Sequence, residues 1–368
     1  MIGVDIGSTA VRVVSVAGVD SRGMAIVTKL GISSIKEGAI VAGRIRSPEE
    51  VSVALVRAFK EAGIRRYGFI IGMESPDIAL STIALPASLK KLERTDAIRT
   101  MNRPISPTFS IADSSLSTCL LEASEINRVT MNTVSVAAAL QSDVDMLSTI
   151  CALAKATPRA IDLTGAALLR AYTRANPENL EISTVVSIGS SRTTVATRAG
   201  MHLRSLRTIA GAGFEVTRSI MQVTGEDFEK AEELKTISKL NNAAAGRARS
   251  SYQLDESFEA DGLEPIERSL NNATDLLVDS IAQAIDSDAS NFGSVSQGVI
   301  LCGGTALLRG LKDKLTQRIG IPVSIGRPWA ELERSRRNAL FFRDGKVDPR
   351  LMLAIGPAVG LALWKEPQ

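Results

Sequence analysis

The sequence predicts an α/β protein of two similar halves that face one ligand, with a small α+β unit inserted in the first half. Three observations carry that prediction. The opening stretch Met1–Val16 alternates apolar residues around Gly7, Ser8 and Thr9, the pattern of a β-hairpin with a small-residue turn. The stretch Thr184–Val195 repeats it, with Val186-Ser187-Ile188-Gly189-Ser190-Ser191 in line with Val4-Asp5-Ile6-Gly7-Ser8-Thr9. Such a long-period echo points to duplicated halves. The third is Gly298–Arg318, which reads as a buried strand Val299–Cys302, a Gly303-Gly304 turn, and a helix opened by Thr305 and running through Leu315.

The turns suggest the chemistry of the ligand. Glycine permits φ > 0 and close approach of a ligand to the backbone. Successive N–H groups and two hydroxyls in such a turn make a nest suited to phosphate. Asp5, just before the first turn, could hold a hydrated Mg²⁺, which prefers a carboxylate together with phosphate. Strand, diglycine and helix N-terminus form a cradle for a nucleotide's phosphates or ribose edge. Taken singly, each stretch reads equally as an ordinary αβ turn or Gly-Ser hairpin; the repetition favours the ligand-binding reading.

Composition bounds the alternatives. The chain has 368 residues, 45% of them hydrophobic and 4% aromatic. That is enough for roughly two to three domains with large cores, and too few aromatics for stacking single-stranded nucleic acid. Lys and Arg number 43 against 40 Asp and Glu, so no basic field invites nucleic acid or anionic lipid. Cys119, Cys151 and Cys302 show no metal-binding spacing and fit a reducing cytosol. No leader is expected before the first strand, and no apolar run has the length of a membrane span. His202 is the single histidine, which disfavours Ser-His-Asp catalysis; a strand position after Gly200 is the simpler reading.

In chain order, Gly23–Ile32 is expected as a strand. Ser47, Pro48, Glu49 and Glu50 open a helix with Val51, Leu55, Val56 and Phe59 inward, ended by Gly63. Tyr67–Met73 is an apolar strand buried on both faces. After Pro76 come a strand Ile78–Leu85, a helix Pro86–Met101 with Leu89, Leu92, Ile98 and Met101 inward, and strands Leu116–Glu122 and Thr130–Leu140. Ser142, with Asp143 and Asp145, caps a helix carrying Val144, Leu147, Ile150, Cys151 and Ala154. Pro158–Tyr172 is expected as one helix, with Asp162 capping it or facing a ligand. Helices are expected over Phe214–Val223 and, capped by Thr224, over Glu226–Leu240. Asn241–Leu263 is polar and reads as a mobile loop. Pro265–Asp286 is an amphipathic helix with Ile266, Leu270, Leu276, Leu277, Ile281 and Ile285 inward. A strand Ile321–Ile325 and a helix Pro349–Trp364 with close-packing glycines follow.

This order of hairpin, insert, second hairpin, diglycine turn and terminal AIGPAVGLA helix resembles the actin-like (ribonuclease H-like) ATPase superfamily. Within it, the chain is similar over nearly its whole length to the PilM family of type IV pilus assembly, relatives of the division protein FtsA. GVDIGSTAVRVV, the insert at about 75–155, and RTIAGAGFEVTRSIMQVTGEDFEKAEELK carry the resemblance. The resemblance implies duplicated actin-like domains around a nucleotide cleft. The first would comprise 1–74 with 157–178 and 350–368, and the insert 75–156. The second would comprise 179–224 with 291–349, and a helical lobe 225–290. It implies ATP with Mg²⁺, the metal at Asp5. The phosphates would meet Gly7, Ser8, Thr9, Gly189, Ser190 and Ser191. Gly211, Gly213 and Thr217 would lie near the nucleotide, Glu232 and Lys235 near its ribose and base, and Gly303, Gly304 and Thr305 at the adenosine turn.

Two departures stand out: Arg12 where the family usually has lysine, and Ser187 where the second hairpin normally opens with aspartate. A hydroxyl cannot supply an acid's charge to a metal, so hydrolysis is expected to be weak or absent and no catalytic residue is assigned. The implied function is a cytosolic ATP-binding scaffold beside the inner face of the cell membrane. Its implied partner is a short cytosolic N-terminal peptide of a PilN-like single-span protein, held by the insert. Self-association remains open, and neither nucleic acid nor direct membrane insertion is expected. The alternatives are a phosphotransferase on the same fold, for which no carboxylate base is evident, and an FtsA-like division protein, for which no C-terminal amphipathic helix is evident.

Overall fold

The computed structural model describes residues 1–101, 105–106, 108–126, 129–173, 183–200, 202–237, 263–335, 338–343 and 346–365. Alternating β-branched residues at the start fold as an antiparallel meander: β1 (Ile2–Ile6), β2 (Ala10–Val19) and β3 (Ala25–Ser34). A small hairpin, β4 (Ile40–Val41) and β5 (Arg44–Ile45), leads into α1 (Pro48–Ala62). Then β6 (Tyr67–Met73) runs parallel to β1. The insert holds β7 (Ile78–Pro86), α2 (Lys91–Thr100), β8 (Ser114–Ile126) and β9 (Val129–Leu140), its strands in the order β7-β9-β8. Then come α3 (Gln141–Leu153), expected within the insert 75–156 but packed with α1 in the core of the first sheet, β10 (Thr157–Leu163) and α4 (Thr164–Thr173).

The second half begins with its own meander: β11 (Ser183–Ile188), β12 (Arg192–Ala199) and β13 (His202–Ala210). Helices α5 (Gly213–Thr224), α6 (Phe228–Ile237) and α7 (Leu263–Phe292) follow. Next come β14 (Val299–Cys302), α8 (Leu311–Ile319), β15 (Val323–Ile325) and β16 (Trp329–Leu332). The short pair β17 (Phe342–Arg343) and β18 (Lys346–Val347) precedes α9 (Pro349–Ala354) and α10 (Gly356–Ala362). The two main sheets share one strand order. The first runs β3-β2-β1-β6-β10, with β16 added outside β3; the second runs β13-β12-β11-β14-β15. The duplication is therefore topological as well as sequential.

Helices α4 and α10 lie against each other between the two sheets. Leu168, Leu169 and Tyr172 of α4 and Ala358 and Val359 of α10 share one core with Val185, Ile188 and Val195 of the second sheet. Backbone meets backbone there: a Cβ on Gly360 would fall 1.8 Å from the Ala167 carbonyl, and one on Gly3 2.0 Å from that of Ala358. A separate core joins α1 to α3 and to the other face of the first sheet. The insert has its own small core around Ile83, Leu85, Ile98, Val134 and Val136.

Several sequence expectations are corrected. Residues 158–163 are not helical. Ala160–Leu163 runs parallel beside Ile70–Met73, and the open edge of β6 offers a hydrogen-bond ladder that helical propensity does not outweigh. Pro158 sits at an irregular point of this edge strand, where its missing N–H is tolerated. Asp162 pairs with Arg170 and is not a cap. Pro86 ends β7 opposite Met131, so α2 starts five residues late. Leu92 lies six residues from buried Ile98, roughly 120° off its face, and is 81% exposed. Leu276, one position from Leu277, points outward for the same reason.

Ser142 lies inside α3, and Ser47 stands at the start of α1 without a capping side-chain bond. Thr224 ends α5; the start of α6 is served by Asp227, whose Oδ1 accepts from the Lys230 N–H at 2.9 Å. The helix expected from Thr305 to Leu315 is a 3₁₀ turn, Gly304–Leu307, followed by α8 after Gly310 at φ +88°. The terminal helix divides at Gly356-Pro357 into α9 and α10, Pro357 supplying the first turn of a new helix. The strand β16, which the sequence reading did not identify, leaves the second half to pair parallel with β3. The loop expected over Asn241–Leu263 lies outside the described residues apart from Leu263.

The Gly360 contact gives a direct stability test. Gly360→Ala must part α10 from α4, and is expected to lower unfolding free energy by roughly 3 kcal/mol. Gly18→Ala, with nothing within 4 Å of the new methyl, should change it by less than about 0.5 kcal/mol. Denaturant titration of both variants checks the contrast.

Candidate functional site

The two hairpin turns close alike. The Gly7 N–H donates to the Ala10 carbonyl at 3.1 Å, and the Gly189 N–H to the Arg192 carbonyl at 2.9 Å. Neither glycine has a positive φ, so the turns do not use the left-handed conformation that sequence reasoning anticipated. Glycine supplies room instead: a Cβ on Gly7 would lie 2.7 Å from Arg12 Nη1. The second turn is held from behind. The Gly189 carbonyl accepts from the Gly213 N–H at 3.0 Å and from Thr305 Oγ1 at 3.1 Å, and the Ser190 carbonyl accepts from the Phe214 N–H at 2.7 Å.

Between the halves lies a cavity of about 680 Å³, within the range of small-molecule sites. Asp5, Gly7, Ser8 and Thr9 line one side, Gly189, Ser190 and Ser191 the other, and Gly303, Gly304 and Thr305 the base. Glu232 and Lys235 also line it; Gly211, Gly213 and Thr217, expected near the nucleotide, are not among its lining residues, and Gly213 and Thr217 back Lys235. Lys235 Nζ donates to Thr217 Oγ1 at 2.8 Å and to the Gly213 carbonyl at 3.3 Å, and pairs with Glu232. Burial pulls the Lys235 pKa down. The diglycine residues differ. Gly303, at φ +87°, backs onto Ile188, whose carbonyl would be 2.3 Å from a Cβ; Gly304 is exposed with nothing within 4 Å. Only Gly304 therefore probes the cavity without disturbing the fold.

Sequence reasoning missed several charge contacts here. Arg12, opposite Asp5 across the β1–β2 ladder, donates from Nη1 to Asp5 Oδ2 at 3.1 Å. At the equivalent register of the second half, Ser187 faces Thr194, two hydroxyls in place of an ion pair. Thr194 Oγ1 donates across the cleft to Glu74, which follows β6. Arg192 also crosses it: Nε and Nη2 donate to the Ala42 carbonyl at 3.1 and 2.6 Å, in the β4–β5 turn. That turn has Ala42 at φ +45° and Gly43 at φ +69°, wrapped against the guanidinium. Burial lowers the Arg192 pKa, with Glu74 acting the other way. The available signal was positional: Glu74 ends a buried parallel strand, and Arg192 leaves a phosphate-type turn.

The nucleotide fits these residues: two small-residue turns, an open glycine and the Glu232–Lys235 pair converge on one cavity. Magnesium at Asp5 does not fit them as they stand. The carboxylate is engaged at Oδ2 by Arg12, and Ser187 brings no second charge.

Asp5 is 4% exposed. Burial, opposed by Arg12 and aided by Glu74, raises its pKa from 3.8 to about 6. The folded protein thus holds this proton more tightly than the unfolded chain, and Asp5 costs stability as pH rises from its unfolded to its folded pKa. Over that window Asp5→Asn should gain on the wild type by on the order of 2–3 kcal/mol, with no further gain above it. Unfolding free energies of the two proteins, compared from pH 4 to pH 7, check this.

A solved structure titled PilM-PilN type IV pilus biogenesis complex matches with a TM-score of 0.75 at 20% identity, covering 98% of this chain and 97% of that one. The ethanolamine utilization protein EutJ from Carboxydothermus hydrogenoformans matches with a TM-score of 0.51 at 13% identity, covering 99% and 89%. At these identities the likeness is one of fold, and it is the duplicated actin-like fold expected from the sequence. The model of the family described as type IV pilus assembly protein PilM matches residues 3–364. The chain therefore belongs to the PilM family of type IV pilus assembly proteins.

Proposed function

We propose that this protein is a nucleotide-binding scaffold of a type IV pilus or related secretion platform, which takes ATP in the cleft between its halves. The carrying observation is the convergence of both hairpin turns and the Gly303-Gly304 turn on one cavity of about 680 Å³. In this reading, backbone N–H groups and hydroxyls of Ser8, Thr9, Ser190 and Ser191 bind phosphate oxygens. Gly304 leaves room for the adenosine, and Glu232 and Lys235 meet the ribose and base. Asp5 being tied to Arg12, a magnesium ion ligated by Asp5 is not part of it. Turnover is weak or absent, because Ser187 brings a neutral hydroxyl where an acid would hold the metal and the attacking water.

Calorimetry with ATP should show saturable binding to the wild type and little or none to Gly304→Leu, whose melting temperature should match the wild type. Phosphate release should stay far below the ~1–10³ s⁻¹ of ordinary enzymes. Absence of binding by the wild type at millimolar ATP would refute the reading.

The partner reading rests on the insert. Among the described residues, no helix is long and apolar enough to cross a membrane. A membrane-side role would therefore run through another protein; the similar structure noted above pairs its PilM with PilN. We infer that the insert helps hold an extended N-terminal cytosolic peptide of a PilN-like single-span protein, placing this chain at the cytoplasmic face. Strand β8 lies at an edge of its sheet, where a peptide can add main-chain hydrogen bonds. Leu92 on α2 and Leu120 on β8 are exposed apolar side chains of the insert that could anchor it. Leu92→Glu with Leu120→Glu should weaken binding of a labelled peptide by about tenfold or more and leave the melting temperature unchanged. Undiminished affinity, read by fluorescence anisotropy, would remove the insert from the partner site.

A further inference from the structure

A divalent cation ordinarily spreads the charge of nucleotide phosphates, and near a carboxylate it demands near-octahedral oxygen ligands. Of the acids lining this cleft, Glu74 accepts from Thr194, Asp143 accepts from Ser75, and Glu232 pairs with Lys235. Asp5, the acid beside the first turn, has Oδ2 against Arg12 Nη1 at 3.1 Å, and both side chains are largely buried. The same Nη1 lies 3.4 Å from the Ala10 carbonyl. The guanidinium also rests on the Gly7 backbone, where only the missing Cβ leaves it space. The ion pair thus sits on the phosphate turn itself. The register-equivalent pair in the other half, Ser187 and Thr194, carries no charge.

We propose that Arg12 takes the place of the metal: the cleft binds the nucleotide's phosphates through the Arg12 guanidinium, and binding requires no divalent cation. This rests on the nucleotide reading above. A guanidinium has five donors in a planar fork. With Nη1 on Asp5, the remaining donors are free in number to meet phosphate oxygens in the bidentate geometry that suits them. Asp5 then holds the fork in orientation over the turn. A cation at Asp5 would have to share the carboxylate with the guanidinium and stand beside a second positive charge. Lysine at the same place would give a point charge without the fork.

The test is calorimetry of ATP with the full chain, once in excess Mg²⁺ and once in EDTA. The wild type should bind with affinities within about threefold of each other, the bidentate pairs being unchanged by the metal. Arg12→Lys keeps the ion pair and should lose about tenfold or more in EDTA. Arg12→Ala frees Asp5 and should bind only with Mg²⁺; adding Asp5→Asn to it should abolish that rescue. Thermal melts establish that each variant is folded, and Arg12→Lys carries the test if Arg12→Ala is not. Wild-type binding that needs Mg²⁺ would overturn the metal-free site and leave the nucleotide reading intact. Failure to bind in either buffer would overturn both.

Discussion

The contact on which the rest depends is the approach of α10 to its two neighbours at backbone distance. Gly360 on the Ala167 carbonyl and Gly3 under Ala358 leave no room for a side chain. They bring α10 onto both α4 and β1. Because α4 also packs on the second sheet, this pair of helices sets where one sheet stands relative to the other. The facing of the two phosphate-type turns follows from it. Interiors packed to this density are not continuously deformable, so the spacing across the cleft is defined by the core rather than by the loops.

On this symmetric frame the charges are asymmetric. The first half pairs acid with arginine across its hairpin; the second pairs two hydroxyls. Two contacts then cross the cleft from the second hairpin: Arg192 to the Ala42 carbonyl and Thr194 to Glu74. Among the described residues Arg192 Nη1 is buried without an acceptor, and an unmet buried donor is costly. The β4–β5 turn meets the guanidinium with Ala42 held at a positive φ, a conformation that itself costs of order 1 kcal/mol for a residue with a Cβ. The two costs fall at the same point, where the halves touch across the mouth.

What was legible in the sequence is what local chemistry decides. Period-two alternation around Gly-Ser turns marked both hairpins, and Pro48 with Gly63 bounded α1 almost to the residue. The lining residues Asp5, Gly7, Ser190 and Gly304 could be named because turn composition is local too. What was illegible depends on distant partners. Residues 158–163 are a strand because β6 leaves an edge open beside them, and β16 is a strand because β3 does. The Asp5–Arg12 pair required the hairpin register, and the reach of Arg192 to Ala42 spans 150 residues. Leu92 and Leu276 were misassigned by small errors in helix phase, since one residue turns a side chain by about 100°.

The return of β16 and α10 to the first sheet has a consequence for biosynthesis. Gly3 meets Ala358, and Ala25 pairs with Trp329, so the first sheet is finished by residues made long after its opening strands. A ribosome delivering roughly 5–20 residues per second leaves that sheet incomplete for much of translation, with the outer edge of β3 uncovered. Contacts of such sequence separation also slow folding after release, because the loop must close before they reward it. The nascent first sheet therefore stays open until β16 and α10 arrive, and α10 is the bolt that ends its exposure.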